Sequence, residues 1–285
     1  MRNNFPKIVF ELMKIDKKLF CLLGDIGVFS FRDIFLKYKK RIINVGTLEQ
    51  SLIGIAAGLS KGGFNPIIHS ISPFLVLRAL EQIKIDFVYN NLNCNIVTVG
   101  GSNDYSKLGS THHCFEDINI LSSYKNINIF TPTNGIEFEY LFKKNYQKGI
   151  NYFRIISNTQ ENIFKNNGFL KNSKNKKLII FFGYFSKDIF NSLDCNFYYI
   201  NKFNYKFNKK KFIKFEEITI IEPFFGEVFE RYLRRDKNFL NKKINTISYK
   251  ETIIHKYGSK DEQDKYLNFN ESKILDLIIN EKSLR

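Results

Sequence analysis

Short apolar runs alternate with longer amphipathic stretches along the first half of the chain. The runs at 19–23, 42–45, 66–71, 95–99, 128–130 and 152–156 are bounded by polar or glycine-containing segments and read as strands. Between them, 31–40, 48–61, 74–90, 115–123 and 135–146 have the length and spacing of helices. Alternation of this kind predicts an α/β fold, a doubly wound and mostly parallel sheet covered on both faces.

The pattern breaks in a stretch rich in Asn and Lys and poor in apolar residues, then resumes. Strands are expected at 177–182, 197–200, 218–221 and 244–248, with helices at 226–233 and 271–279. The chain is therefore expected to form one α/β domain over 1–158, a linker over 159–176 and a smaller α/β domain over 177–285.

Composition narrows the class. The 285 residues are 44% hydrophobic and 25% charged, an ordinary globular balance. The longest apolar run, 178–182, is far too short to cross a bilayer, and 1–4 lead into a mixed polar segment with no signal-peptide core. A soluble cytoplasmic protein with no membrane partner is the expectation. The net charge of +16 comes from lysines scattered among asparagines, densest at 171–177 and 206–214, and no nucleic-acid-binding motif accompanies them. Nucleic acid is thus not an expected partner, while anionic small ligands are favoured. Cys21, Cys94, Cys114 and Cys195 are widely spaced. Cys114 beside His112 and His113 is too small a set for zinc, so reduced structural cysteines and no metal site on this chain are expected.

In open parallel sheets ligands bind beyond the carboxyl ends of the strands. Gly24-Asp25-Ile26-Gly27, the segment 46–49, Ser72-Pro73-Phe74 and the loop 100–113 all fall at such ends. Glu49 stands out among them. Thr47 and Gln50 have capping-box spacing, which places Glu49 in the first turn of a helix that is apolar nearly all round and so expected to be buried. A buried acid costs free energy unless something pairs with it. On spacing alone, Glu49 either complements the helix dipole or serves as a functional acid.

Taken in order, these segments resemble the C-terminal half of transketolases and of 1-deoxyxylulose-5-phosphate synthases. The motifs are Gly24-Asp25-Ile26-Gly27, the Glu49-Gln50 pair, Phe74-Leu75 with Arg78-Ala79-Leu80-Glu81-Gln82-Ile83, Gly100-Gly101, and Gly109-Ser110-Thr111-His112 followed by Glu116-Asp117-Ile118. Weaker echoes are Ile220-Ile221-Glu222 with Gly226 and the closing Tyr257-Gly258. The resemblance implies a thiamine-diphosphate pyrimidine-binding domain followed by the family's C-terminal domain. It also implies roles. Glu49 binds N1′ of the cofactor's aminopyrimidine and exchanges a proton with it, and Phe74 packs on that ring unless it is ordinary core. Asp25 and Ile26 lie near the cofactor, with a turn aspartate the alternative for Asp25. His112 faces the substrate and handles protons at its oxygens. His113 and Arg78 are further candidate substrate contacts, His113 being alternatively a satisfied neighbour. His69 and His255 are expected to be structural.

Departures from the family shape the rest. The Gly-Asp-Gly…Asn segment that holds Mg²⁺ and the diphosphate has no counterpart here, so the resemblance implies an N-terminal transketolase-like partner subunit that carries this site, in an α2β2 assembly. Ser157 stands where phosphate-handling relatives often carry Arg, and the loop 102–108 has no acid just before Gly109. Two-carbon ketol transfer from a ketose to an aldehyde in specialised sugar metabolism is the leading expectation. A pyruvate-decarboxylating subunit or a non-catalytic partner of the same fold are the alternatives.

Overall fold

The computed structural model describes residues 1–157, 166–183 and 187–280. Its elements run α1 (Asn4–Ile15), β1 (Leu19–Leu23), α2 (Arg32–Tyr38), β2 (Ile42–Asn44), α3 (Glu49–Lys61) and β3 (Asn65–Ile71). There follow α4 (Leu80–Gln82) between π turns at Pro73–Leu77 and Ile83–Tyr89, then β4 (Cys94–Val99), α5 (Asp117–Leu121), β5 (Ile127–Phe130), α6 (Gly135–Asn145) and β6 (Ile150–Ile155). The second half contains β7 (Gly168–Lys171), β8 (Lys177–Phe182), α7 (Lys187–Ser192), β9 (Asn196–Ile200), β10 (Lys202–Phe203) and β11 (Glu217–Phe225). It closes with α8 (Val228–Arg234), β12 (Lys243–Tyr249), α9 (Lys260–Tyr266) and α10 (Glu271–Ile279).

Two sheets form, ordered β10-β5-β6-β4-β3-β1-β2 and β12-β11-β8-β9-β7. Pairing is parallel except at one edge of each sheet, β10 on β5 and β7 on β9. The expected mostly parallel α/β architecture is borne out. Every residue of β4 and β6 is buried, as both-face coverage of central parallel strands requires.

Several elements differ from the expectation, for identifiable reasons. The mixed segment at the start is helical: Phe5, Ile8, Val9, Leu12 and Met13 make one buried stripe of α1. Within the expected linker, Gly168–Lys171 is an edge strand, because Phe169 has a ring to pack against, Tyr198 at 4.9 Å. Residues 158–165 of that stretch lie outside the described residues. β10 is only two residues long, too short for a periodic signal, yet it carries the second half back onto the first sheet. One apolar cluster accordingly runs through both sheets, joining Leu22, Ile68 and Ile96 to Ile180, Ile220 and Phe229.

Buried polar contacts lock the halves together. Glu137 accepts hydrogen bonds from Thr133 N at 2.8 Å, from Thr133 Oγ1 at 2.6 Å and from Tyr199 OH across the joint at 3.1 Å. Arg154 Nε donates to Asp117 Oδ2 at 2.8 Å, Tyr152 OH donates to the same oxygen at 2.6 Å, and Arg154 Nη1 reaches the Pro223 carbonyl at 3.5 Å. Glu222 receives the N–H groups of Val228 (2.9 Å) and Phe229 (2.6 Å) at the start of α8, and burial pushes its pKa up to about 8.

Candidate active site

The carboxyl ends of β1, β3 and β4 and the first turn of α3 converge on Glu49, whose side chain is 1% exposed. The start of α3 is not built as its sequence implies. Leu48, not Thr47, is the N-cap residue, it makes no side-chain cap, and the helix opens on Glu49 itself. The chain turns tightly just before, with Gly46 at φ +82° and Leu48 N donating to Gly46 O at 2.9 Å, which leaves Thr47 exposed and out of capping position. Nor is α3 buried all round. Leu52, Ile53, Ala56 and Ala57 face the core, whereas Ser51, Gly54, Ile55 and Gly58 are exposed.

Glu49 is paired on both carboxylate oxygens. Ser70 Oγ, from β3, donates to Oε1 at 3.3 Å, and Arg78 Nη1 donates to Oε2 at 2.7 Å. Ser70 fits beside the carboxylate because residue 24 is glycine: a Cβ there would stand 2.8 Å from Ser70 Oγ. The Arg78 side chain is 46% exposed, and its guanidinium carbon lies 4.5 Å from the centroid of the Phe74 ring. Phe74, half-buried, meets His112 edge to face at 5.1 Å between centroids. His112 Nδ1 and Thr111 Oγ1 are 2.9 Å apart, and the Tyr105 ring stands 6.2 Å from His112. Glu49, Phe74, His112 and Arg78 therefore share one locus.

The other candidates make contacts of their own. Asp25, with φ +55°, exchanges two hydrogen bonds with Asn44, its N–H donating to Oδ1 at 3.0 Å and Asn44 Nδ2 donating to Asp25 Oδ1 at 2.9 Å. That is a turn arrangement. Ile26 packs on the core cluster beneath α1. His113 is 4% exposed, its ring edge-on to Phe115 at 5.9 Å, and burial lowers its pKa. His69 bonds Val97 O through Nδ1 at 2.8 Å within the core, and burial pulls its pKa down to about 4. Ser157, at the position of the departure noted above, donates through its backbone N–H to the Asp104 carboxylate at 3.0 Å.

The His112 loop is held by the second half of the chain, which the sequence did not reveal. Ser110 Oγ donates to Ile254 O at 2.5 Å, and Gln263 Nε2 donates to Ser106 O at 3.2 Å. A Cβ at Gly109, whose φ is +77°, would lie 2.6 Å from the Tyr257 ring. The echo at Tyr257 thus has a physical reason. Ser70 and Tyr105 were the residues missed, their one sequence signal being position at or just beyond the carboxyl ends of strands, whereas Tyr257 reads in the sequence only as a weak family echo. A separate cavity of about 320 Å³ lies between the carboxyl ends of the two sheets, among Arg154, Phe181, Ile221, Tyr249, Lys260 and Phe269. Its Lys260 is paired with Asp264 at 2.5 Å.

Comparison with known proteins establishes the family. Residues 1–161 match the family described as transketolase, pyrimidine binding domain. A subunit of the apulose-4-phosphate transketolase of Actinobacillus succinogenes is 43% identical over 104 residues, covering 36% of this chain and 33% of that protein. The protein of the same name from Phocaeicola vulgatus is 32% identical over 143 residues, covering 50% of this chain and 46% of its own length. The matched stretches thus span less than half of these relatives. A solved structure described as a split gene transketolase, inactive beta4 tetramer, superposes with a TM-score of 0.82 at 17% identity, covering 99% of this chain and 98% of that one. At that identity the likeness speaks for the fold. With more than half of its residues inside the matched domain, this chain belongs to the transketolase pyrimidine-binding-domain family.

Proposed function

We propose that this chain is the C-terminal subunit of a split, thiamine-diphosphate-dependent transketolase, moving a two-carbon ketol unit from a ketose to an aldehyde acceptor in specialised sugar metabolism. The observation that carries this reading is the convergence of a buried carboxylate, an aromatic face and a histidine at one sheet edge: Glu49, Phe74 and His112. The residues fit the cofactor's aminopyrimidine. A flat group bearing N–H donors, the Arg78 guanidinium, already lies on Phe74 and bonds Glu49.

Thiamine diphosphate, when bound, supplies the carbon nucleophile and the electron sink for breaking and remaking a carbon–carbon bond. The chain's own residues do the rest. Glu49 moves a proton at ring nitrogen N1′ from a site closed to water, Phe74 orients the ring by stacking, and His112 moves protons at the substrate's oxygens. Tyr257 and Ser110 hold the His112 loop in place.

Among the described residues no group of three or more His, Cys, Asp or Glu side chains is placed to hold a metal. In this reading Mg²⁺ and the diphosphate belong to an N-terminal transketolase-like partner, in an α2β2 assembly. The exposed apolar residues of the first half, Leu48, Ile55, Leu77, Ile85 and Tyr89, support a partner-covered face. The two apulose-4-phosphate transketolase relatives are themselves named as subunits, which supports the same division of labour.

The test is reconstitution with a partner that carries a Gly-Asp-Gly…Asn segment, plus thiamine diphosphate and Mg²⁺, followed by assays of ketose and of pyruvate consumption. Ketose-dependent transfer that fails in Glu49→Gln is expected. Pyruvate consumption without ketol transfer would replace this reading with a decarboxylating one.

A further inference from the structure

Glu49 and Phe74 are the residues the proposed function assigns to the aminopyrimidine, and in the free chain one side chain already engages both. The Arg78 guanidinium covers Phe74 with its carbon 4.5 Å from the ring centroid, and its Nη1 donates to Glu49 Oε2 at 2.7 Å. Guanidinium and aminopyrimidine share the relevant chemistry: both are flat and delocalised, carry N–H donors at the edge and present a face that stacks. With the other carboxylate oxygen held by Ser70, the seat is filled by a group of this chain.

Resting on that reading, we propose that Arg78 is a placeholder. In the free chain it occupies the aminopyrimidine seat and keeps the buried Glu49 charge paired; cofactor binding requires it to swing out. The side chain is suited to leave, being 46% exposed. It also stands at the end of a π turn, where its backbone N–H reaches Pro73 O at a long 3.3 Å. As the guanidinium leaves, one proton taken up from solvent is shared between the Glu49 carboxyl and ring nitrogen N1′, so the exchange does not leave Glu49 as a lone buried charge. Its cost is that apparent affinity falls with the fraction of molecules in which Arg78 is out.

The experiment titrates the free aminopyrimidine moiety of thiamine into the full chain and follows binding by NMR, for the wild type, Arg78→Gln, Arg78→Lys and Glu49→Gln. Arg78→Gln removes the cation that competes for the seat and is expected to lower the apparent Kd by about tenfold, as expected when an occluded fraction of about nine-tenths is released. Arg78→Lys keeps Glu49 paired while losing the planar stacking group. It is expected to bind tighter than wild type by less, and it carries the test if the Gln variant does not fold. Equal or weaker binding by both Arg78 variants, with Glu49→Gln still abolishing binding, overturns the placeholder and leaves the cofactor reading standing. Binding that survives Glu49→Gln unchanged, or no binding by any protein, overturns the cofactor reading and the placeholder with it.

Discussion

Two buried carboxylates in this molecule are each held by an arginine, and they differ in one respect. Asp117 and Arg154 are both enclosed, with side chains 0% and 4% exposed, and Arg154 is further tied to Ser102 Oγ at 2.6 Å. Glu49 is as deeply buried as Asp117, at 1%, but its partner Arg78 is 46% exposed and touches only the carboxylate and a ring face among the contacts described. The first pair cannot come apart without leaving a charge uncompensated in the interior. The second can, because Arg78 has water to move into. An enclosed partner makes a structural clamp, and an exposed partner makes a site that can exchange one cation for another group.

Four measurements press on this comparison. The largest effect is expected at the exchangeable pair: Glu49→Gln in the reconstituted enzyme lowers kcat/KM by about 10²–10⁴-fold, the range for losing a positioned proton-transfer group, while the denaturation midpoint hardly moves. A similar activity with a large stability loss would make Glu49 structural like Asp117. Next comes the clamp. Arg154→Met is expected to cost about 3–5 kcal/mol of unfolding free energy by denaturant titration, because Asp117 is left buried without its partner. A loss below about 1 kcal/mol would show that the two pairs are alike after all.

Acid sensitivity should come from the core beneath the site. His69 has a folded pKa of about 4 against an ordinary 6.5, lowered first by burial. Its folded value is depressed, so its contribution is complete above pH 6.5 and is lost as pH falls toward 4, when the unfolded chain takes a proton the folded one refuses. The loss reaches about 3 kcal/mol near pH 4. His69→Asn should flatten that part of the stability–pH curve, and an unchanged slope would assign the loss to other groups. The smallest effect is at the loop brace. Gly109→Ala forces a Cβ onto the Tyr257 ring from a backbone at φ +77° and ψ −172°, for a cost of about 1–3 kcal/mol. Because this loop carries His112, turnover should fall more than stability does, and unaltered turnover would separate the loop's shape from the chemistry.

The elements most legible in the sequence were those whose local pattern coincides with their burial. β4 and β6 are buried at every position and read as short, mostly apolar runs, interrupted by Asn95 and Thr98 in one and by Asn151 and Arg154 in the other, while the β–α alternation named the fold class. The site was legible in part: Glu49, Phe74 and His112 lie on separate segments that the carboxyl-edge argument brought together, and the structure joins them. Asp25 and His113 were candidates by motif position; in the structure Asp25 exchanges hydrogen bonds with Asn44, and the His113 ring turns inward to Phe115. A motif specifies which loop a side chain sits on, not the direction in which neighbouring packing turns it. Similarly, Thr47 and Gln50 had capping spacing, but the turn at Gly46 starts the helix later than a Thr47 cap requires.

By itself the sequence determined the two mostly parallel sheets and the family, because these depend on periodicity and on motif order, which are properties of the chain read in line. Only the tertiary structure decided which partner each buried carboxylate has, that β10 and a shared core fuse the two halves, and that Tyr257 braces a loop nearly 150 residues earlier. Such contacts depend on chain segments far apart in sequence being brought within a few ångströms, and no local pattern records that distance.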